Sequence, residues 1–206
     1  MINTIISFIF LPFLIQGHPV IANDSKALAV REFSLEERYD NSFVNEVFKD
    51  NILLTIKYLA REKIDPKNID WKTIEKPFEY KLILKPGGTF AFHDDVLPEL
   101  ERKVIKTSNA HFNAQEGFKS SGWLVGDGVC HLASLLYWVA KDAGLEVLAP
   151  TRHDFANIPE VPKNYGVSIY AYPGKQLTDQ MQNLYITNNK DREIAFEFSY
   201  DGENLK

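Results

Sequence analysis

The 206-residue chain holds a single cysteine, Cys130. It stands in Gly126-Asp127-Gly128-Val129-Cys130-His131, just after a glycine-flanked turn and just before an amphipathic stretch that ends at Gly144. A cysteine in the first turn of a helix meets unpaired N–H groups and the positive end of the helix dipole. Both favour the thiolate, which is the nucleophilic form. Gly126 and Gly128 allow backbone to approach a ligand closely and leave N–H groups to face an oxyanion. The chemistry this pattern points to is thiol-dependent acyl transfer or amide hydrolysis.

A thiol nucleophile needs a base. His153 follows the strand expected after the helix, so it can return beside the helix start. His93 and His111 are further candidates, and His131 points about 100° away from Cys130 on a helix. Cys130, His131 and Asp127 show no standard zinc spacing, so no metal or other cofactor is expected. Against the catalytic assignment stands a plainer one. Free cysteine is among the most buried residue types, and Cys130 then serves as a small structural side chain.

The helix that positions the thiol is defined by its apolar stripe. With Leu132 at zero on a helical wheel, Leu135, Leu136, Val139 and Ala143 cluster within roughly 60° on either side. Gly144 is the C′ residue that ends it. Cys130 lies about 160° away, on the side of Ser134 and Tyr137. An off-stripe position predicts that Cys130→Ala removes little stability, about 1 kcal/mol or less.

Upstream, residues 23–41 are polar and read as an extended lead-in. Val44, Phe48, Ile52, Ile56 and Leu59 then form a helical stripe, with Ser42 as N-cap and Pro66 closing the segment. Phe78–Leu84 alternates as a strand, Lys85-Pro86-Gly87-Gly88 supplies turn chemistry, and Thr89–Phe92 is expected to continue the strand briefly. Residues 93–122 read as loop with short helical pieces. After the central helix, Leu145–Leu148 reads as a strand. Val167–Tyr172, Asn183–Thr187 and Glu193–Tyr200 read as an antiparallel meander, with hairpin signals at Asn188–Asp191 and at Asp201-Gly202. A further strand begins near Lys206, so the natural protein is expected to continue.

Hydrophobic residues are 45% and charged residues 25%, the profile of an ordinary globular fold. The net charge is -5, and no dense Lys/Arg run provides the basic patch of a nucleic-acid binder. The first residues differ. Ile5–Ile15 is almost wholly apolar, shorter than the roughly twenty residues a membrane helix needs but suited to a secretory signal. Val20-Ile21-Ala22 offers a cleavage site, while the lack of Lys or Arg before the apolar run leaves an uncleaved N-terminal anchor open. Residues 1–22 are therefore set apart as signal peptide or anchor, and an extracytoplasmic location is expected.

The cysteine region resembles the VanW family, named for an accessory gene of a vancomycin-resistance cluster. The family's hallmark is a glycine triplet, a short aliphatic, Cys-Gln, and a helix containing Leu-Tyr and ending Ala-Gly-Leu-Glu. Here those places hold Gly126-Asp127-Gly128, Val129, Cys130-His131, Leu136-Tyr137 and Ala143-Gly144-Leu145-Glu146. The family's histidine falls on His153. The stretch Lys85-Pro86-Gly87-Gly88-Thr89-Phe90 resembles the family's upstream motif, with His93 where the family has Asn. The resemblance spans roughly residues 82–206 and implies a cell-envelope context, with peptidoglycan or its peptides as the expected partner. The family's own activity is not established. Departures fall at Asp127, at His131, at Pro150 in place of an arginine, and near Asn164-Tyr165, where a later Asp of the family is missing. If that Asp orients the histidine in relatives, Asn164 must substitute for it here. The order of Cys at a helix start, a strand bearing His and antiparallel strands is also that of transglutaminase-like and papain-like thiol enzymes, by analogy only.

Together these features predict an α+β fold in which a Cys-headed helix packs on an antiparallel sheet over residues 70–206. Residues 23–69 form a helical N-terminal extension packed against it. The leading activity is thiol-dependent acyl transfer or amide hydrolysis on a cell-wall peptide, with Cys130 attacking, His153 moving the proton and the Gly126–Cys130 amides holding the oxyanion. The alternative is a non-catalytic envelope-binding or membrane-anchored scaffold module with a structural Cys130.

Overall fold

A computed structural model describes residues 27–122, 125–171 and 178–206. The expected signal or anchor over residues 1–22 lies outside these. Among the described residues, no helix is long and apolar enough to cross a membrane.

Helix α1 (Ser42–Leu59) begins one residue earlier in its capping than the sequence predicts. Asn41, not Ser42, is the N-cap, and its side chain accepts the N–H groups of Phe43 and Val44. Asparagine reaches both donors from an extended backbone, which is what the N-cap position requires. The C-terminal half of α1 is buried almost all round, through Ile52, Leu53, Leu54, Ile56 and Leu59. A short helix α2 (Trp71–Ile74) follows, and α3 (Val129–Asp142) packs against α1.

Among the described residues, the strands form two four-stranded sheets. The first is antiparallel throughout, in the order β1 (Phe33–Ser34), β8 (Asn204–Leu205), β7 (Ile194–Tyr200), β2 (Phe78–Leu84). Alternation sets its register: Leu82, Leu84, Phe196, Phe198 and Tyr200 face the core while Ile83 and Glu197 face out. The Asp201-Gly202 turn joins β7 to β8 as its sequence predicts. The second sheet has the order β4 (Val104–Lys106), β3 (Thr89–Ala91), β6 (Tyr185–Thr187), β5 (Glu146–Leu148), and its β3–β4 pair is parallel.

Three expectations are corrected. Thr89–Ala91 does not prolong β2. The Lys85–Gly88 turn, closed by Gly88 N–H to Lys85 O at 2.9 Å with Gly87 at φ 71, sends the chain into the other sheet. The C-terminal third is not one meander, because β6 and β7 lie in different sheets. Asn188 fixes that crossover: fully buried, it donates to Leu84 O and Arg192 O, both at 2.8 Å. Of the segment 167–171, only Val167 makes a ladder contact, an isolated bridge to Arg152; the N–H groups of Val167 and Ile169 attach to α3 through Ser134 and Cys130.

The N-terminal segment is part of one core. Phe33 and Leu35 pack in the same cluster as Ile52, Leu84, Leu132 and Leu205. The fold is thus α+β, with helices packed against antiparallel sheet and an N-terminal helix.

Candidate functional site

The turn before Cys130 is built by α1. Buried Asn51 donates to the carbonyls of Lys119 (3.0 Å) and Asp127 (2.8 Å) and accepts the Lys119 N–H (2.8 Å). Asp127 Oδ2 accepts from the N–H and hydroxyl of Ser121 at 2.8 and 2.7 Å. Gly128 sits at φ 99, and a Cβ there would lie 2.8 Å from the Phe48 carbonyl oxygen. Only glycine lets α1 come this close. Gly126 packs in the same way on Phe112, whose carbonyl oxygen would be 3.0 Å from an added Cβ. The Gly126 N–H donates to Lys119 O (3.0 Å) and the Val129 N–H to Gly126 O (3.1 Å). Two of the amides expected to hold an oxyanion are therefore engaged by backbone carbonyls.

Cys130 is the second residue of α3, half-buried. Its sulfur accepts the Ile169 N–H at 3.4 Å and lies 3.7 Å from Ile169 O, to which the S–H donates. One helical turn on, Ser134 Oγ accepts the Val167 N–H (2.9 Å) and donates to Cys130 O (2.7 Å). The two pairs are commensurate: four helical residues rise about 6 Å and two extended residues about 6.6 Å. Burial pushes the Cys130 thiol up to about 11, against the lowering effect of the Ile169 N–H. Burial and the S–H donation to the Ile169 carbonyl both favour the protonated thiol.

His153 returns to the head of α3, as its position after β5 predicts, but its ring faces His131, 6.4 Å away and edge-on. Its Nδ1 donates to Ala156 O (3.1 Å), which leaves the lone pair on Nε2. Burial holds its pKa below the ordinary value. Among the described residues, no hydrogen bond or ion pair joins Cys130 to His153. Their anchoring points explain the separation. Cys130 attaches at Ile169 while the His153 N–H attaches at Gly166 O (3.2 Å), three residues away, or about 10 Å of extended chain. Asn164 lies in the 3-10 turn Lys163–Tyr165 and is exposed; the Ala156 carbonyl, not Asn164, orients the ring.

His131 is a buried acceptor. Its Nδ1 takes N–H donations from Arg38 Nε (3.2 Å) and Nη2 (3.1 Å). Arginine only donates, so His131 carries its proton on Nε2, facing Tyr39 Oη at 3.4 Å. Burial, then Arg38 and His153, hold its pKa well below the ordinary value. Arg38 itself is buried, donates to Ser34 O and Pro159 O, and lies over the Phe33 ring at 4.3 Å. Periodicity alone does not reveal this network, because Arg38 falls in a polar stretch. His93 is a satisfied core histidine, with Nε2 donating to Gln182 O (3.0 Å) and Nδ1 facing Asn183 Nδ2 (3.4 Å). His111 stands apart, between Asp94 and Glu116.

A cavity of about 290 Å³ opens beside His153, and Cys130 is not among its lining residues. Its polar lining comes from His153, Asn157, Glu160 and Lys163, and its apolar lining from Ile158, Val161 and the flanking prolines. Glu160 holds a positive φ of 68, rare for a side-chain-bearing residue, and lies 3.8 Å from Arg38 Nη1.

A family model described as VanW like protein matches residues 79–206. Neither the curated proteins nor the solved structures include a match. The matched range carries Cys130, His153 and the cavity; α1, Asn51 and Arg38, which brace them, lie ahead of it.

Proposed function

The chain belongs to the VanW-like family, and from that footing we propose that it is a binding module of the cell envelope in which Cys130 is structural. The observation that carries this is the seat of the Cys130 sulfur, accepting from Ile169 with its proton held to about pH 11. A nucleophile needs the opposite: a depressed pKa and a base within reach. The ligand place is the cavity beside His153. At about 290 Å³ it suits a short peptide segment. Glu160 and Lys163 on its wall offer one group for an ammonium and one for a carboxylate, and a cell-wall stem peptide carries both.

Thiol-dependent acyl transfer is the competing proposal. One observation favours it: Ala156 fixes the Nδ1–H of His153 and burial lowers its pKa, which leaves the Nε2 lone pair available as a base. It requires the Ile169 segment to release the sulfur.

One pair of measurements separates the two. Iodoacetamide should label the folded chain more slowly than a free model thiol near pH 7, and His153→Ala should not alter the rate. A synthetic stem peptide ending in D-Ala-D-Ala should bind saturably, more weakly to Lys163→Ala and equally well to Cys130→Ala. Fast labelling that falls in His153→Ala would restore the thiol enzyme. Absence of peptide binding would remove the envelope-binding module.

A further inference from the structure

The residues 94, 95 and 111 are not drawn into the site above. Asp94 and Asp95 follow β3 and its buried extension Phe92-His93, and His111 lies in the loop between β4 and the 3-10 turn Ala114–Glu116. One ligand atom from each of Asp94, Asp95 and His111 lies within 4.8 Å of the other two.

His111 is held as a metal-binding imidazole is held. Its Nδ1 donates to Glu116 Oε1 at 3.0 Å, and Glu116 Oε2 accepts the His111 N–H at 2.7 Å. Glu116 is fixed in turn, its N–H capped by Asn113 Oδ1 at 3.1 Å. A carboxylate on one ring nitrogen sets the tautomer and aims the other at a ligand position. That other nitrogen, Nε2, faces Asp94 Oδ1 at 3.0 Å. The pair is close enough for an ion pair, but Asp94 Oδ1 is buried and makes no hydrogen bond. Two cis ligands of an octahedral ion, each about 2.1 Å from the metal, are themselves about 3.0 Å apart.

A protonated His111 bridging Asp94 and Glu116 would account for those three groups and leave Asp95 unexplained. Asp95 is 3% exposed, and its Oδ2 is buried without a hydrogen-bond partner. Among the described residues no lysine or arginine pairs with Asp94 or Asp95, and Asp179 adds negative charge nearby. Burying an unpaired carboxylate oxygen is costly unless a cation or donor meets it.

We propose that Asp94, Asp95 and His111 bind one divalent transition-metal ion, with Glu116 as the positioning residue for His111. Two carboxylates and one imidazole suit Zn²⁺ or Mn²⁺; Ca²⁺ prefers six to eight oxygens and Mg²⁺ retains most of its waters. Asp94 and His111 have side chains 34% and 27% exposed, which gives the ion a path in and leaves room for water in its remaining positions. The ion ties the end of β3 to the loop that carries Phe112 under Gly126.

The test uses the full chain, stripped with chelator and titrated calorimetrically with Zn²⁺ and, separately, Mn²⁺. Zn²⁺ should bind at one ion per chain. Asp95→Asn and His111→Gln should each weaken binding at least about tenfold, whereas Cys130→Ser and His153→Ala should not change it. Melting in chelator guards against a folding artefact. Asp95→Asn should melt no lower than the parent there, since the orphan carboxylate is gone, and should lose the rise in Tm that Zn²⁺ gives the parent. Should Asp95→Asn fail to fold, the part-exposed Asp94→Asn takes its place with the same expected loss. No uptake of either ion by the parent overturns the site, as does uptake unchanged in the Asp94, Asp95 and His111 variants.

Discussion

The Cys130 sulfur accepts the backbone N–H of Ile169 at 3.4 Å, and this contact turns the one thiol of the chain into a piece of secondary-structure wiring. Ile169 belongs to a segment with no neighbouring strand over most of its length. Its backbone donors must still be satisfied. Cys130 and Ser134 serve as two rungs of a ladder whose other side is helix α3.

Cys130→Ala should therefore be more damaging than an off-stripe position suggests. It leaves a buried N–H without an acceptor, which costs about 1–3 kcal/mol. Cys130→Ser restores an acceptor and should recover much of the loss, and Ser134→Ala should resemble Cys130→Ala by stranding the Val167 N–H. Urea denaturation compares the three. Equal stability of Cys130→Ala and the parent would remove the ladder. The thiol also carries a pH signature. Its folded pKa of about 11 exceeds the ordinary value of 9.0, so the unfolded chain loses the proton first. The contribution to stability is complete below pH 9 and is lost as pH rises towards 11. The difference in stability between parent and Cys130→Ala should shrink over that window.

His131 gives the opposite pH signature. Its folded pKa lies well below the ordinary value because burial, Arg38 and His153 all disfavour the imidazolium, while Tyr39 Oη faces its Nε2. The unfolded state binds the extra proton, so stability falls as pH drops through about 6.5. His131→Gln, the residue type found there in the family hallmark, should flatten the acid side of the stability curve. An unchanged acid limb would mean that His131 is charged in the fold. Arg38→Ala removes the donor to His131 and two backbone contacts, and should lower stability by about 2–4 kcal/mol, with faster proteolysis of residues 27–41.

The strength of the local patterns decided how much of this was readable in advance. Apolar stripes located α1 and α3, and strict alternation located β2 and β7, because each pattern is set by a nearby periodicity. The distribution of strands between two sheets was not local. It depends on the Gly87 turn, and on Asn188 reaching both Leu84 and Arg192. The cover over the Cys130 side of α3 is hidden from the sequence for a related reason. A helical wheel counts side chains, and the cover here is the backbone of residues 167–169. The position of His153 after β5 implies a return toward α3, but the three-residue offset between Gly166 and Ile169 depends on how residues 166–169 pack and is not written in the local sequence. Asp94 and Asp95 carried a weak signal, two acids after a strand, which acquires meaning only when a loop sixteen residues on delivers His111.

Gly128 tests whether the turn before Cys130 is a close-packing device. Its φ of 99 disfavours any side chain, and an added Cβ would lie 2.8 Å from Phe48 O and 3.0 Å from Phe48 Cα, which are backbone atoms of a packed helix and do not yield. Gly128→Ala should thus destabilise the chain by about 2 kcal/mol or more, combining positive-φ strain with displacement of α1. An oxyanion device would behave differently: alanine retains the N–H, so the fold would be kept and only chemistry lost. Chemical denaturation and a heteronuclear NMR spectrum of Gly128→Ala distinguish the cases. Native stability with unshifted Phe48 and Asn51 signals would show that α1 does not bear on the glycine, and would return Gly128 to the catalytic account.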